Sequence, residues 1–191
     1  MSINRRRVVV GLAAALGASG CNGIDVAEWT EEVKLHDGTM IKVWRRARAR
    51  SNGFPNAKRG GDIDFELKYE PLGVHWKGTW QRDPISFEVI DGVPHLVLYI
   101  NDEESCSRKA KTDYTAQFLR WVGGQWIDVA QAQFPTNQAL VNLHAQYWGH
   151  STNDDARGLI PWEKKKLYGN RDDTIKSYFE RGLRFCSRLA R

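Results

Sequence analysis

The chain is poor in the patterns from which catalytic and metal sites are usually built. It has three cysteines and five histidines in 191 residues, with no C-x-x-C and no H-E-x-x-H, so no familiar zinc spacing is present. No G-x-S-x-G elbow and no glycine-rich phosphate loop occurs, which removes the commonest signatures of serine hydrolases and nucleotide enzymes. After residue 20 no apolar run approaches the ~20 residues needed to cross a bilayer. Repeats at solenoid periods and low-complexity tracts are also missing.

Basic excess is smaller than it first looks. Lys and Arg total 28 against 23 Asp and Glu, a formal charge of +5. Residues 1–20 hold three of the arginines and no acid, leaving 25 against 23, or +2, for the rest of the chain. That balance does not argue for nucleic acid. The stretch from Cys21 to Arg191 suits one domain and can bury a core without staples.

The N-terminus, from Met1 to Cys21, has the order of an export signal. Arg5, Arg6 and Arg7 form a basic head, Val8 to Leu16 an apolar run, and Gly17 to Gly20 a small-residue stretch. Together these define a signal peptide over residues 1–20. Adjacent arginines also hint at twin-arginine export, although basic heads commonly contain them. Ala18-Ser19-Gly20-Cys21 resembles a bacterial lipobox, departing from it in having Ala18 where leucine is usual. The resemblance implies that Cys21 becomes the acylated N-terminus, and several acyl chains anchor firmly where one does not. The alternative is an ordinary signal peptide cut near Gly20, with Cys21 left as a thiol. Asn22 is not the aspartate of the usual inner-membrane retention signal, so the resemblance favours the outer membrane. Cys106 and Cys186 are then an even pair in an oxidising compartment, which reads as a disulfide closing a long loop. Two separate buried thiols are the other reading.

Residues 21–28 read as a short tether, and from Trp29 the pattern is that of strands. Asp37-Gly38, Asp91-Gly92 and Gly123-Gly124 each separate two β-rich runs and predict hairpins, with a type I′ turn at Asp37-Gly38. Residues 62–69 alternate most cleanly, with Ile63, Phe65, Leu67 and Tyr69 on one face. Pro94 to Ile100 is nearly all apolar and suits a central strand. Residues 48–61, 101–111 and 151–158 read as loops. Residues 136–149 fit a strand slightly better than a helix. Residues 172–189 show helical spacing, with acids at the start and arginines near the end. The predicted fold is therefore mainly β, antiparallel hairpins forming a sandwich or open barrel with one C-terminal amphipathic helix; a propeller-like arrangement ranks lower.

Candidate sites are few, and each has a plainer reading. His144 and His150 carry no metal spacing. His150, Ser151 and Asp154 are neighbours in sequence, but triads are assembled in space. Asp62, Asp64 and Glu66 share a strand face, which suits paired-carboxylate hydrolysis or simply a solvated surface. Lys42, Arg45, Arg46, Arg48 and Arg50 form a basic run without an intervening acid, a candidate patch for an anionic partner. Lys164 to Lys166 and the C-terminal helix form a second basic cluster. Six tryptophans, Trp76, Trp80, Trp121, Trp126, Trp148 and Trp162, could line a groove or fill the core.

Trp29-Thr30-Glu31-Glu32-Val33-Lys34-Leu35-His36-Asp37-Gly38, shortly after Cys21, resembles the opening of a group of small proteobacterial lipoproteins of unknown function. The similarity continues loosely to about Pro135, leaves the C-terminal third uncovered, and carries no catalytic residue. The resulting expectation is a lipid-anchored envelope protein facing the periplasm. Its contacts would be the membrane, through the anchor, and an envelope protein or polymer. No cofactor or metal is expected, and a non-enzymatic role is favoured. The alternative is a periplasmic hydrolase of glycan or peptide. An enzyme would gather perturbed titratable groups in a cleft, whereas a binding module would show an exposed aromatic or basic face.

Overall fold

The computed structural model describes residues 24–50, 62–79, 81–100, 116–145 and 157–181. Among them, nine strands form two sheets. The first has the order β4-β3-β2-β1-β9 and the second β5-β6-β7-β8, so the arrangement is sandwich-like and not a closed barrel. The strands are β1 (Ile24–Lys34), β2 (Met40–Arg50), β3 (Asp62–Tyr69), β4 (Val74–Thr79), β5 (Arg82–Ile90), β6 (Val93–Ile100), β7 (Ala116–Val122), β8 (Gln125–Asp128) and β9 (Arg157–Ile160). All neighbours run antiparallel except β9, which lies parallel to β1.

The hairpins form where the turn dipeptides stand. Asp91 and Gly92 have φ of 52° and 75°, and Gly123 and Gly124 of 58° and 85°, as type I′ turns require. The first hairpin departs from that expectation. Asp91 is the one non-glycine residue with positive φ among the described residues, so Asp37 keeps an ordinary φ and only Gly38 is left-handed. Gly38 N–H donates to the Leu35 carbonyl, Leu35 N–H donates to the Thr39 carbonyl, and the Asp37 carboxylate accepts from Thr39 N–H at 2.8 Å. This is a type I turn with a glycine bulge, stabilised by the aspartate side chain.

Alternation along β1 and β2 sorts the residues. Trp29, Val33, Val43 and Ala47 face inward and meet Phe65, Leu67 and Trp76 from their own sheet, and Ala49 is fully buried near the end of β2. Phe87, Leu96, Leu98 and Leu119 of the second sheet close this core from the other side. Each such fully buried side chain contributes about 1.5–3 kcal/mol. The second sheet is covered on its far face too. There Ile85, Val97 and Phe118 pack against Phe134, Ala139, Val141, Ile175 and Phe179. That is why β6 reads as a continuous apolar run: both of its faces are buried.

Several boundaries differ from the sequence reading. β1 begins at Ile24, inside the expected tether, because Ile24 and Val26 point outward and hide the alternation. β2 extends to Arg50 instead of ending in a loop, since Ala47 and Ala49 still face the core. Arg157 and Gly158, expected at the end of a loop, open a strand that runs to Ile160. Residues 139–145 are extended, with Ala139, Val141, Leu143 and Ala145 fully buried, but join their neighbours by isolated bridges rather than a ladder. The C-terminal helix is described over 175–181. Thr174 caps it, its hydroxyl accepting from Ser177 N–H at 3.2 Å, and Ile175 and Phe179 bury its apolar face. Cys21, Cys106, Cys186, Trp80, Trp148, His150, Ser151 and Asp154 lie outside the described residues.

Candidate functional site

The outer face of the five-stranded sheet carries the basic run. Period two places Lys42, Arg46, Arg48 and Arg50 there with Trp44. It places Arg45 on the opposite, core-facing side, fully buried, so the five residues do not form one patch. Two of the outer arginines are paired with acids directly across the strand junction. Arg46 opposes and ion-pairs with Glu66, and Arg48 opposes Asp64, with Nε donating to Oδ1 at 2.8 Å. His75 Nε2 lies 2.7 Å from Glu66 Oε1, and the Lys68 ammonium sits 4.6 Å from the Trp44 ring. The Arg48 hydrogen bond holds the Asp64 carboxyl below its ordinary range against the opposing effect of burial. Burial raises Glu66, but His75, Arg46 and Lys68 outweigh it and the net direction is down. Asp64 and Glu66 are thus neutralised members of a cross-strand charge ladder. That leaves them unsuited to act as a free carboxylate pair.

Beside this ladder, where β9, β1 and β2 adjoin, a shallow open cavity of about 330 Å³ is lined by residues including Glu28, Thr30, Lys42, Trp44, Gly158 and Leu159. Gly158 has φ +111°, a conformation that side-chain-bearing residues rarely adopt. Leu159 is 47% exposed. An aromatic ring, an aliphatic side chain, an ammonium and a carboxylate therefore converge on one open surface.

A second polar assembly lies sealed between the layers. Glu31, fully buried, accepts from Arg45 Nη1 at 3.1 Å and from the His144 backbone N–H at 2.8 Å, and its Oε2 lies 2.5 Å from Lys165 Nζ. Arg45 also donates to the His144 carbonyl, and its guanidinium lies 5.2 Å from the Trp29 ring. Lys165 donates to the Glu32 and Asn142 carbonyls. Asn142 bridges the N–H and carbonyl of Phe87, the Lys34 carbonyl and Glu88 Oε1. Glu88 accepts from the backbone N–H groups of His36 and Leu140. Tyr168 donates to Asp83, whose other oxygen lies 4.0 Å from Arg45 Nη2.

Several of these bonds share a target. Residues 139–145 have few ladder partners, and the buried Glu31, Arg45 and Glu88 side chains bond backbone groups of Leu140 and His144 instead. Titration follows from that environment. Burial raises Glu31, but the charges of Lys165 and Arg45 win and hold it low. Burial lowers Lys165, and it raises Asp83, Glu88 and Tyr168. His144 is pushed down to about 4, chiefly by burial, and its Nδ1 accepts from Lys166 N–H at 3.1 Å. None of these six groups lines the open cavity.

Trp29, Trp76 and Trp162 are buried and Trp121 stacks edge-on against Trp126 across the β7–β8 hairpin, so the described tryptophans serve mainly the core. Among the described residues no cluster of three or more His, Cys, Asp or Glu is arranged to hold a metal ion. No described helix is long and apolar enough to cross a membrane. No family model, curated protein or solved structure matches the chain.

The buried centre escaped the sequence reading, although a signal was present. Glu31 has the same parity as Trp29, Val33 and Leu35, and Arg45 the same as Val43 and Ala47. A charge at an inward position of an otherwise apolar strand face points to a paired partner inside.

Proposed function

We propose that the protein is an exported, lipid-anchored component of the bacterial envelope. In this reading Cys21 carries the acyl chains, and the folded domain is a non-catalytic module that binds an envelope partner on the outer face of its five-stranded sheet. The leader and the lipobox-like Ala18 to Cys21 support the anchoring. One observation supports binding over catalysis. Glu31, Glu88, Lys165 and His144 are engaged with backbone groups away from solvent and Asp83 with Tyr168, while the open surface offers Trp44, Leu159, Lys42 and Glu28. Such an amphipathic face suits a peptide segment or polymer that presents apolar groups beside charge.

Two measurements test the reading. Cys21→Ser should abolish incorporation of labelled palmitate and release the chain from the acylated membrane fraction; unchanged acylation or fractionation refutes the anchor. Crosslinking in the intact envelope from a photoreactive residue at Lys42 should capture one partner, and Trp44→Ala should weaken that capture. Equal capture by wild type and Trp44→Ala refutes the assignment of the face.

A further inference from the structure

The end of the outer face nearest Cys21 has a composition of its own. Ile24 and Val26 are each 55% exposed, an unusual placement for two β-branched aliphatic residues on one strand face. Their cross-strand partners are Arg50 and Arg48. The four side chains therefore share one corner, two aliphatic groups flanked by two guanidinium groups. Arg48 is hydrogen-bonded to Asp64, while Arg50 has no acid partner among the described residues. Further along the same face the character changes: Glu28 opposes Arg46, and Thr30 opposes Trp44.

From this we infer that the Ile24–Val26–Arg48–Arg50 corner docks on the anionic phospholipid surface, fixing how the domain stands on the membrane. The inference rests on the proposed acylation of Cys21. Ile24 follows Cys21 by three residues, and three residues reach at most about 10 Å. An anchor at Cys21 holds Ile24 within that distance of the headgroups, and Val26 and Arg48 about 7 Å further along the strand. Aliphatic side chains partition into the headgroup boundary, and the Arg50 guanidinium, left without an acid, pairs with phosphate, the combination that interfacial surfaces use. The cavity at Thr30 and Trp44 lies six residues further along β1, about 20 Å from Ile24 at the rise of a strand.

The test uses the full processed chain in vesicles of phosphatidylglycerol and phosphatidylcholine that contain a phospholipid with a photoactivatable headgroup. Mass spectrometry of the N-terminal peptide reports acylation, and mapping of the crosslinks reports the docked surface. Crosslinks concentrated in residues 24–26 and 48–50 are expected. Replacing phosphatidylglycerol by phosphatidylcholine should reduce them, and Arg50→Gln should reduce them by up to about fivefold, the ratio one cation near an anionic surface contributes. Arg50 is exposed, so this variant keeps the fold. An acylated chain whose crosslinks fall elsewhere, or whose corner crosslinks ignore lipid charge, overturns the inference and leaves the anchor standing. A chain without acylation removes both.

Discussion

Replacing Glu31 by Gln should be among the most damaging single changes in the molecule. The carboxylate is fully buried and faces two cations, Arg45 and Lys165, whose side chains are almost as buried. Gln keeps the volume and still accepts from His144 N–H, but it removes the charge and turns an amide N–H₂ toward one of the cations. Breaking a buried ion pair by neutralising one partner costs about 3–5 kcal/mol, because the remaining charge stays desolvated. A domain of this size is stabilised by only about 5–15 kcal/mol. A fall in Tm of about 6–20 °C is therefore expected. Urea denaturation followed by tryptophan fluorescence would measure it, with the slope of the transition checked for two-state behaviour. A second variant separates charge from shape. Adding Lys165→Met to Glu31→Gln removes one of the two stranded cations, so the double variant should lose less than the sum of the singles by at least about 1 kcal/mol. Loss below about 1 kcal/mol for Glu31→Gln, or strict additivity in the pair, would refute the view that this cluster holds residues 139–145 and Lys165 to the sheets.

Stability should also fall with acid through His144. Its folded pKa is about 4 against an ordinary 6.5, so between those values the unfolded chain binds a proton that the folded chain refuses. Stability is then fully present above pH 6.5 and drops as pH falls toward 4, by at most about 3 kcal/mol. Glu88 and Asp83 are displaced upward and act in the opposite sense, so the measurable quantity is the difference in urea midpoint between wild type and His144→Gln across this range; parallel profiles would remove the claim. Gly78→Ala should destabilise by about 1–3 kcal/mol, because a Cβ there would collide with the buried Trp76 ring; a thermal melt matching wild type would show that the ring moves freely. Thiol counting on the unreduced, exported protein should find neither Cys106 nor Cys186 reactive, and two free thiols would refute their bridge.

How far the sequence can be read depended on whether a segment's neighbours are local. Residues 62–69, the β5–β6 and β7–β8 hairpins and the spacing of the C-terminal helix are visible in one window of sequence, because strand alternation, turn φ angles and helix spacing are local quantities; its Thr174 cap, two residues past the expected start, is not. β9 is not visible that way. Its four residues pair in parallel with Glu28 to Glu31, far away along the chain, and no turn signal announces such a contact. Residues 139–145 show the same limit: their alternation is readable, but whether they join a sheet depends on β5 and on residues 165–175. The basic run does not form the single patch its spacing suggests, for a related reason. Five cations close in sequence suggested one patch, yet a period of two sends Arg45 to the core, and pairing with β3 neutralises Arg46 and Arg48.

By itself, then, the amino-acid order determined the leader-like pattern of the N-terminus, the hairpin-rich β class and the positions of most turns, since each rests on side chains within a few residues of one another. Tertiary structure alone decided which charges are buried, which are paired and which remain on the outer face. Electrostatic environment is a property of space, and Glu31, Arg45 and Lys165 meet only because two sheets and a returning C-terminal segment close around them.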